Sequence, residues 1–170
     1  MESRAKALGH PIHQMLIPFP FGLLSTAVIF DIVYLFVGDP VTQGTLSLVA
    51  FWMIAAGIVG GLVAAPFGLI DYLAIPGGTR AKSIGMLHGV GNVFVLVLFA
   101  LSLWLRYGSP GTHKPTTLAL VASFAAFLLA GVTGWLGGEL VDRLGVGVDD
   151  GANLDAPNSL TTSSAHGARG

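Results

Sequence analysis

Histidines and carboxylates stand at the ends of long apolar stretches in this sequence. His10 and His13 precede the first stretch, Asp71 follows the second, His88 lies near the start of the third and Glu139 follows the fourth. Ionisable side chains inside or beside membrane segments are costly to bury, so they are candidates for function. If the stretches alternate in direction, all five side chains meet at one end of the protein.

Ligation is the chemistry that these residue types offer. The imidazoles of His13 and His88, with His10 as a further candidate, could bind the iron of one haem b. The same cluster, with Glu139 and Asp71 added, could instead hold one zinc, iron or copper ion. A third reading has these histidines as hydrogen-bonded interfacial residues without a ligand, and the sequence leaves the three alternatives open.

Other chemistries find little support in the residue types. The chain has no cysteine, which excludes thiolate ligands and cysteine nucleophiles. No serine or threonine stands in a nucleophile motif beside a base, so we expect that the chain alone is not an enzyme. A net charge of −1 gives no general attraction to nucleic acid, and we expect no such partner.

Two charged residues, Asp31 and Arg106, stand at equal intervals in sequence after two of these histidines. The interval in sequence from His13 to Asp31 equals the interval from His88 to Arg106. At about 1.5 Å per helical residue, Asp31 and Arg106 then lie level with each other, about 27 Å from the histidines. The spacing predicts a structural ion pair that joins the first and third stretches.

The composition indicates which elements carry these residues. Hydrophobic residues make up 53% of the 170 and charged residues only 10%, with a mean hydropathy of +0.76. About a quarter of a typical soluble protein is charged, so this chain is expected to lie in a lipid bilayer. Four apolar stretches, each near the roughly 20 residues that cross a bilayer, cover residues 15–37, 46–70, 84–105 and 117–136. The predicted fold is all-α, an integral membrane four-helix bundle.

The segments outside the helices complete the domain organisation. Residues 1–14 form an N-terminal segment, residues 15–144 the transmembrane domain, and residues 145–170 a tail rich in Gly, Asp, Asn, Ser and Thr that is expected to be disordered. Short connections predict antiparallel neighbours in an up-down-up-down bundle. Basic residues concentrate on the side of both termini, at Arg4, Lys6, Arg80, Lys82, Arg143 and Arg169, against Arg106 and Lys114 on the other. The positive-inside rule then places both termini in the cytoplasm, in a bacterial inner membrane.

Glycines four residues apart suggest how the helices meet. Such pairs let helix backbones approach closely in lipid, and they occur at Gly57 and Gly61, Gly85 and Gly89, and Gly134 and Gly138. These faces support an alternative function, a non-catalytic membrane scaffold or partner subunit without a cofactor. The sequence indicates no particular oligomeric state.

Several motifs together resemble a known family. The motifs are residues 9–13 (GHPIH), residues 68–73 (GLIDYL), His88 followed by Asn92, and residues 134–141 (GWLGGELV). Together they look like the uncharacterised predicted membrane family called domain of unknown function 2231, over about residues 8–147. The resemblance implies a four-helix protein. Some relatives are joined to Rieske iron–sulfur domains, which implies a role near membrane electron transfer with a membrane redox partner or iron–sulfur protein. The leading functional hypothesis is therefore a redox-associated membrane subunit with one haem b or one metal ion.

Overall fold

Four long apolar helices dominate the computed structural model, which describes residues 1–109 and 111–160. In chain order the helices are α1 (Ile12–Leu16), α2 (Pro18–Phe36), α3 (Pro40–Ala74), α4 (Arg80–Arg106) and α5 (Thr117–Gly138), and a π-helical turn (Glu139–Arg143) extends α5. Taken with α1 as part of the first span, four helices are long and apolar enough to cross a membrane. The prediction of an all-α fold with four membrane helices is confirmed.

Side-chain caps set where three of the helices begin. Asp39, Thr79 and Thr116 each accept a hydrogen bond from the backbone N–H three residues further on, at 2.8 to 3.1 Å. Such caps satisfy N–H groups that have no partner within the helix. The third helix in chain order, α3, therefore runs over Pro40–Ala74, where the apolar stretch alone indicated 46–70. Hydropathy marks the lipid-facing part of a helix, whereas its backbone hydrogen bonds continue to the cap.

Neighbouring helices pack in reversed chain order. Leu24 of α2 lies against Gly57 of α3, and His13 of α1 lies against Gly68 further along α3. The same reversed order relates α4 to α5 through the pairs Gly91 with Thr133 and Ser102 with Ala119. Within each of these two pairs, the head of one span therefore lies beside the foot of the other.

Small and apolar side chains fill the centre of the bundle. Ala27, Ala50, Ile54, Phe99 and Ala126 are all at most 1% exposed. Without a hydrophobic force between helices in lipid, close packing of this kind drives their association. Large apolar side chains project outward instead, with tryptophans 52, 104 and 135 exposed by 63%, 69% and 66%. This inside-out distribution suits a bilayer.

The two chain ends lie together over the histidine end of the bundle. Lys6–Ala7 pairs antiparallel with His10–Pro11 across a turn in which Leu8 and Gly9 have φ of 52° and 85°. The sequence analysis did not predict this short pairing, because a two-residue strand has no periodicity to detect. The tail has no helix or strand over residues 145–160, yet Gly147 N–H donates to the carbonyl of Met1 at 2.9 Å. Residues 161–170, including Arg169, lie outside the described part of the chain.

Candidate functional site

His13 is oriented by the backbone of α3. Its Nδ1 lies 3.0 Å from the carbonyl oxygen of Ala64. A carbonyl can only accept, so Nδ1 carries the proton, and the lone pair of the neutral ring stands on Nε2. The ring lies on Gly68, where an added Cβ would come within 2.7 Å of the imidazole Cε1. Glycine at this position is what lets the ring approach the helix.

His88 has the same arrangement against α5. Its Nδ1 lies 2.9 Å from the carbonyl oxygen of Thr133, so the proton again stands on Nδ1. The ring faces Gly137, where an added Cβ would lie 3.1 Å from Cε1. Unlike His13, His88 has a polar neighbour at its second nitrogen, since Asn92 Nδ2 lies 3.3 Å from Nε2.

These two imidazoles share one end of the bundle. Both are half-buried. In each ring the hydrogen bond at Nδ1 fixes the tautomer and leaves the electron pair on Nε2. Hydrogen bonding of this kind is typical of histidines that ligate metals and haem iron.

The carboxylates predicted to join the histidines have other partners. Asp71 accepts hydrogen bonds from the Ser3 hydroxyl at 2.8 Å, the Arg4 N–H at 2.7 Å and the Ala5 N–H at 3.3 Å. Glu139 forms an ion pair with Arg80. Among the described residues, neither carboxylate accepts a hydrogen bond from a histidine. Main-chain carbonyls take that place because the carboxylates are satisfied by N–H and hydroxyl groups and by a cation.

The remaining candidate ligand, His10, and the basic side chain of Lys82 have other contacts. His10 is exposed and its Nε2 lies 3.3 Å from the hydroxyl of Ser159, away from the inner faces of the bundle. Lys82 donates to the carbonyl of Tyr72 at 2.8 Å and lies 4.0 Å over the centre of that ring. Over residues 1–109 and 111–160, no group of three or more His, Asp or Glu side chains is placed to hold a metal ion. The structure places His13 against α3 and His88 against α5, each held by a main-chain carbonyl.

Each imidazole has its electron pair on Nε2, the donor type that can ligate a haem iron, and the glycines under both rings leave room for the rings. Two donors alone are fewer than the four that a structural zinc site uses. A transition metal would need further ligands from water or from a partner. Among the described residues, these two donors do not make a closed metal site.

The opposite end of the bundle holds a buried ion pair. Arg106 Nη2 donates to Asp31 Oδ2 at 2.6 Å, and both side chains are at most 1% exposed. Ser123 donates to the same carboxylate oxygen at 3.2 Å, and Ser102 lies 3.0 Å from Ser123. Asp31 Oδ1 and Arg106 Nη1 are buried without a partner among the described residues. The pair links the first and third spans through a small polar network.

The sequence analysis did not identify the two serines of this network. Ser102 stands one helical turn before Arg106, a spacing that places it on the same helix face and could have signalled its role. No comparable signal marks Ser123, which comes from a different helix. Nearby, the ring of His113 stacks on Phe51 at 3.8 Å between centres and 9° between planes. That contact holds the loop between α4 and α5 against the bundle.

Comparison with known proteins agrees with the fold. Residues 9–150 match the model of a family described as predicted membrane protein (DUF2231). The match covers most of the chain, including both histidines and the buried ion pair. No curated protein and no solved structure matches the chain.

Proposed function

The chain belongs to the DUF2231 family of predicted membrane proteins, and we propose that this multi-pass protein is a redox-associated subunit that binds one haem b through His13 and His88. A bound haem would supply one-electron redox chemistry at its iron. The protein would supply the two axial nitrogens, their orientation and a low-dielectric setting.

The observation that carries the proposal is the matched hydrogen bonding of the two rings. Nδ1 of His13 lies 3.0 Å from one main-chain carbonyl, and Nδ1 of His88 lies 2.9 Å from another. Each hydrogen bond presents Nε2 as the ligating atom and raises its basicity. Two different helices thus orient the two rings alike.

The positions of the histidines limit the site to one haem. The chain has five histidines, and paired axial ligands for two haems would use four of them. His10 is exposed beside the tail, and His113 stacks on Phe51 at the other end. Electrons would therefore enter and leave at the same end, which calls for a membrane redox partner or an iron–sulfur protein.

Absorption spectroscopy of the purified protein tests the proposal. Protein produced with haem supplementation is expected to show a Soret band and, after reduction, the α-band of a six-coordinate b-type haem. His13→Ala and His88→Ala should each remove or shift these bands. His10→Ala is the matched control, because this exposed histidine lies outside the pair, and it should leave the spectrum unchanged. Wild-type protein without a Soret band would refute haem binding.

Elemental analysis of the same preparation tests the metal alternative. Stoichiometric zinc, iron or copper without a Soret band would favour one metal ion at His13 and His88, with water or partner ligands completing the shell. Loss of that metal in His88→Ala and its retention in His10→Ala would assign the site. Protein that contains neither haem nor metal points to the second candidate.

A non-catalytic scaffold or partner subunit is the second candidate, and the outer surface of the bundle favours it. A Cβ added at Gly89, Gly131 or Gly134 would meet no heavy atom of the described residues within 4 Å. These glycines leave backbone open for a helix of another protein. Because the chain has no cysteine, Gly134→Cys introduces a unique crosslinking position. A crosslinked membrane partner in a cofactor-free preparation would support this role.

We also propose that the protein lies in a bacterial cytoplasmic membrane with both termini inside. The excess of basic residues at the histidine end supports this orientation. Unique cysteines at Ser83 and Ser109, near opposite ends of α4, test it with a membrane-impermeant maleimide applied to intact cells. Labelling at Ser109→Cys alone is expected, and labelling at Ser83→Cys alone would reverse the orientation.

A further inference from the structure

Two halves of the bundle repeat one arrangement of residues. The interval in sequence from His13 to His88 equals the interval from Asp31 to Arg106. The acceptor and glycine that hold each ring are also spaced alike. His13 contacts the carbonyl of Ala64 and lies on Gly68, whereas His88 contacts the carbonyl of Thr133 and lies on Gly137. The interval in sequence between the two acceptors equals the interval between the two glycines, and both are slightly shorter than the interval between the histidines.

Burial follows the same two intervals. In α2 the buried positions 20, 24, 27 and 31 correspond to the buried positions 95, 99, 102 and 106 of α4. In α3 the buried positions 50, 51, 54, 57 and 64 correspond to the buried positions 119, 120, 123, 126 and 133 of α5. The first span with α3, and α4 with α5, are therefore two copies of one helical hairpin. His13 and His88 occupy the same place in the two copies.

The copies differ at the residue one turn after each histidine. Asn92 follows His88, and its equivalent after His13 is Ile17, which has no polar side-chain atoms. Both positions are helical, since Ile17 has φ −53° and ψ −38° and donates its N–H to the carbonyl of His13. Asn92 Nδ2 lies 3.3 Å from Nε2 of His88, the nitrogen that a ligand would use. No described side chain makes a hydrogen bond to Nε2 of His13.

We propose that Asn92 is a displaceable hydrogen-bond partner of His88, so that His13 is the open ligand and His88 completes the site only when Asn92 releases it. This inference rests on the proposed function, because it assigns an order to the two ligands of that site. Asn92 is a positioning residue that acts through His88 and does not contact the cofactor.

Release of His88 leaves each polar atom of Asn92 with one hydrogen bond. Its Nδ2 also donates to the carbonyl of His88 at 2.9 Å, and its Oδ1 accepts from the hydroxyl of Thr133 at 3.1 Å. Loss of the contact with Nε2 therefore frees one of the two N–H donors of the amide, while the other donor and the amide oxygen keep their partners. The Thr133 hydroxyl has a second acceptor as well, the carbonyl of Ala130 at 3.1 Å.

Nitrogen NMR of histidine-labelled, cofactor-free protein tests the hydrogen bond by itself. In wild-type protein both rings are expected as the Nδ1–H tautomer, with the Nε2 resonance of His88 displaced from that of His13 by the hydrogen bond from Asn92. Asn92→Ile, which copies the first hairpin, should move the His88 resonance to the position of His13. Ile17→Asn is the reciprocal variant and should displace the His13 resonance. An unchanged His88 resonance in Asn92→Ile would overturn the inference, whatever the protein binds.

Titration of the same proteins with hemin tests the order of ligation. Removal of a competing hydrogen bond should tighten hemin binding by roughly 2- to 10-fold in Asn92→Ile. Val93→Leu, at an exposed neighbouring position of α4, is the control and should leave the affinity unchanged. Equal or weaker binding by Asn92→Ile would overturn the inference. If wild-type protein and all variants bind no hemin, the proposed function fails, and the NMR comparison still decides the role of Asn92.

Discussion

Removal of Asp31 should destabilise the bundle by leaving a buried cation without its anion. Arg106 is 0% exposed, and its one contact with an acidic group among the described residues is Asp31 Oδ2 at 2.6 Å from Nη2. After Asp31→Leu the guanidinium keeps contacts to Ser102 and Ser123 at 3.4 Å each, which are long for hydrogen bonds. Neither hydroxyl compensates for a full charge.

The expected loss of unfolding free energy follows from the burial of the ion pair. Breaking a buried ion pair by removal of one partner costs about 3–5 kcal/mol. Arg106 is the last residue of α4, so its long side chain can turn toward the interface. Because this movement lowers the cost of the unpaired charge, the loss of stability in Asp31→Leu should be near the low end of that range, at about 3 kcal/mol. Arg106→Met leaves the shorter carboxylate deeper in the bundle and should cost about 4 kcal/mol.

The double variant should lose far less free energy of unfolding than the two single variants lose together. Asp31 Oδ1 and Arg106 Nη1 have no partner among the described residues, so the native pair does not recover the whole cost of its desolvation. Replacing such a pair with apolar side chains is often close to neutral. We therefore expect Asp31→Leu with Arg106→Met to lie within about 1 kcal/mol of the wild type.

Reversible unfolding in mixed detergent–SDS micelles measures these differences. Ile32→Leu is a suitable control, because this neighbour of Asp31 faces outward at 45% exposure, and its free energy of unfolding should stay near the wild-type value. Single variants that each cost under about 1 kcal/mol, or a double variant that costs the sum of the two, would contradict the reasoning, since either result means that the two charges do not depend on each other.

Two further predictions concern the histidine end of the protein. Gly68→Ala should displace the ring of His13, because the new Cβ would lie 2.7 Å from Cε1. Gly137→Ala should displace the ring of His88 less, because its new Cβ would lie 3.1 Å from Cε1. Histidine NMR shifts compare the two variants, and equal displacements would contradict the difference in contact distance. Hydrogen exchange of the N-terminal segment should depend on pH, because a hydrogen bond from Lys6 lowers the pKa of Glu2 and the same bond raises the pKa of Lys6. The stabilisation should be lost as pH falls through the lowered carboxyl pKa and again as pH rises through the raised lysine pKa, and Lys6→Met should abolish both changes.

Some features of the site could be predicted because they depend on spacing along one helix. Asp31 and Arg106 stand the same number of residues after His13 and His88. Because a helix advances by a constant rise of about 1.5 Å per residue, residues at equal intervals from a common level must lie level again. The same regularity brought His13 and His88 to one end of the bundle.

Other features could not be predicted because their partners are main-chain atoms or come from distant segments. The acceptors of His13 and His88 are carbonyls of Ala64 and Thr133, and every residue has such a carbonyl. Asp71 was expected beside the histidines, yet the N-terminal segment folds back and supplies it with three donors. No periodic pattern precedes that fold-back.

The sequence by itself determined the solvent, the secondary structure and the levels of the charged residues. Few charges and four apolar stretches require lipid, and lipid requires helices whose backbone bonds are satisfied internally. Only the tertiary structure decided which groups meet at each level. Rotation of each helix about its axis is set by side-chain packing, such as Leu24 against Gly57. That rotation turned His13 and His88 to carbonyls of neighbouring helices and Glu139 to Arg80.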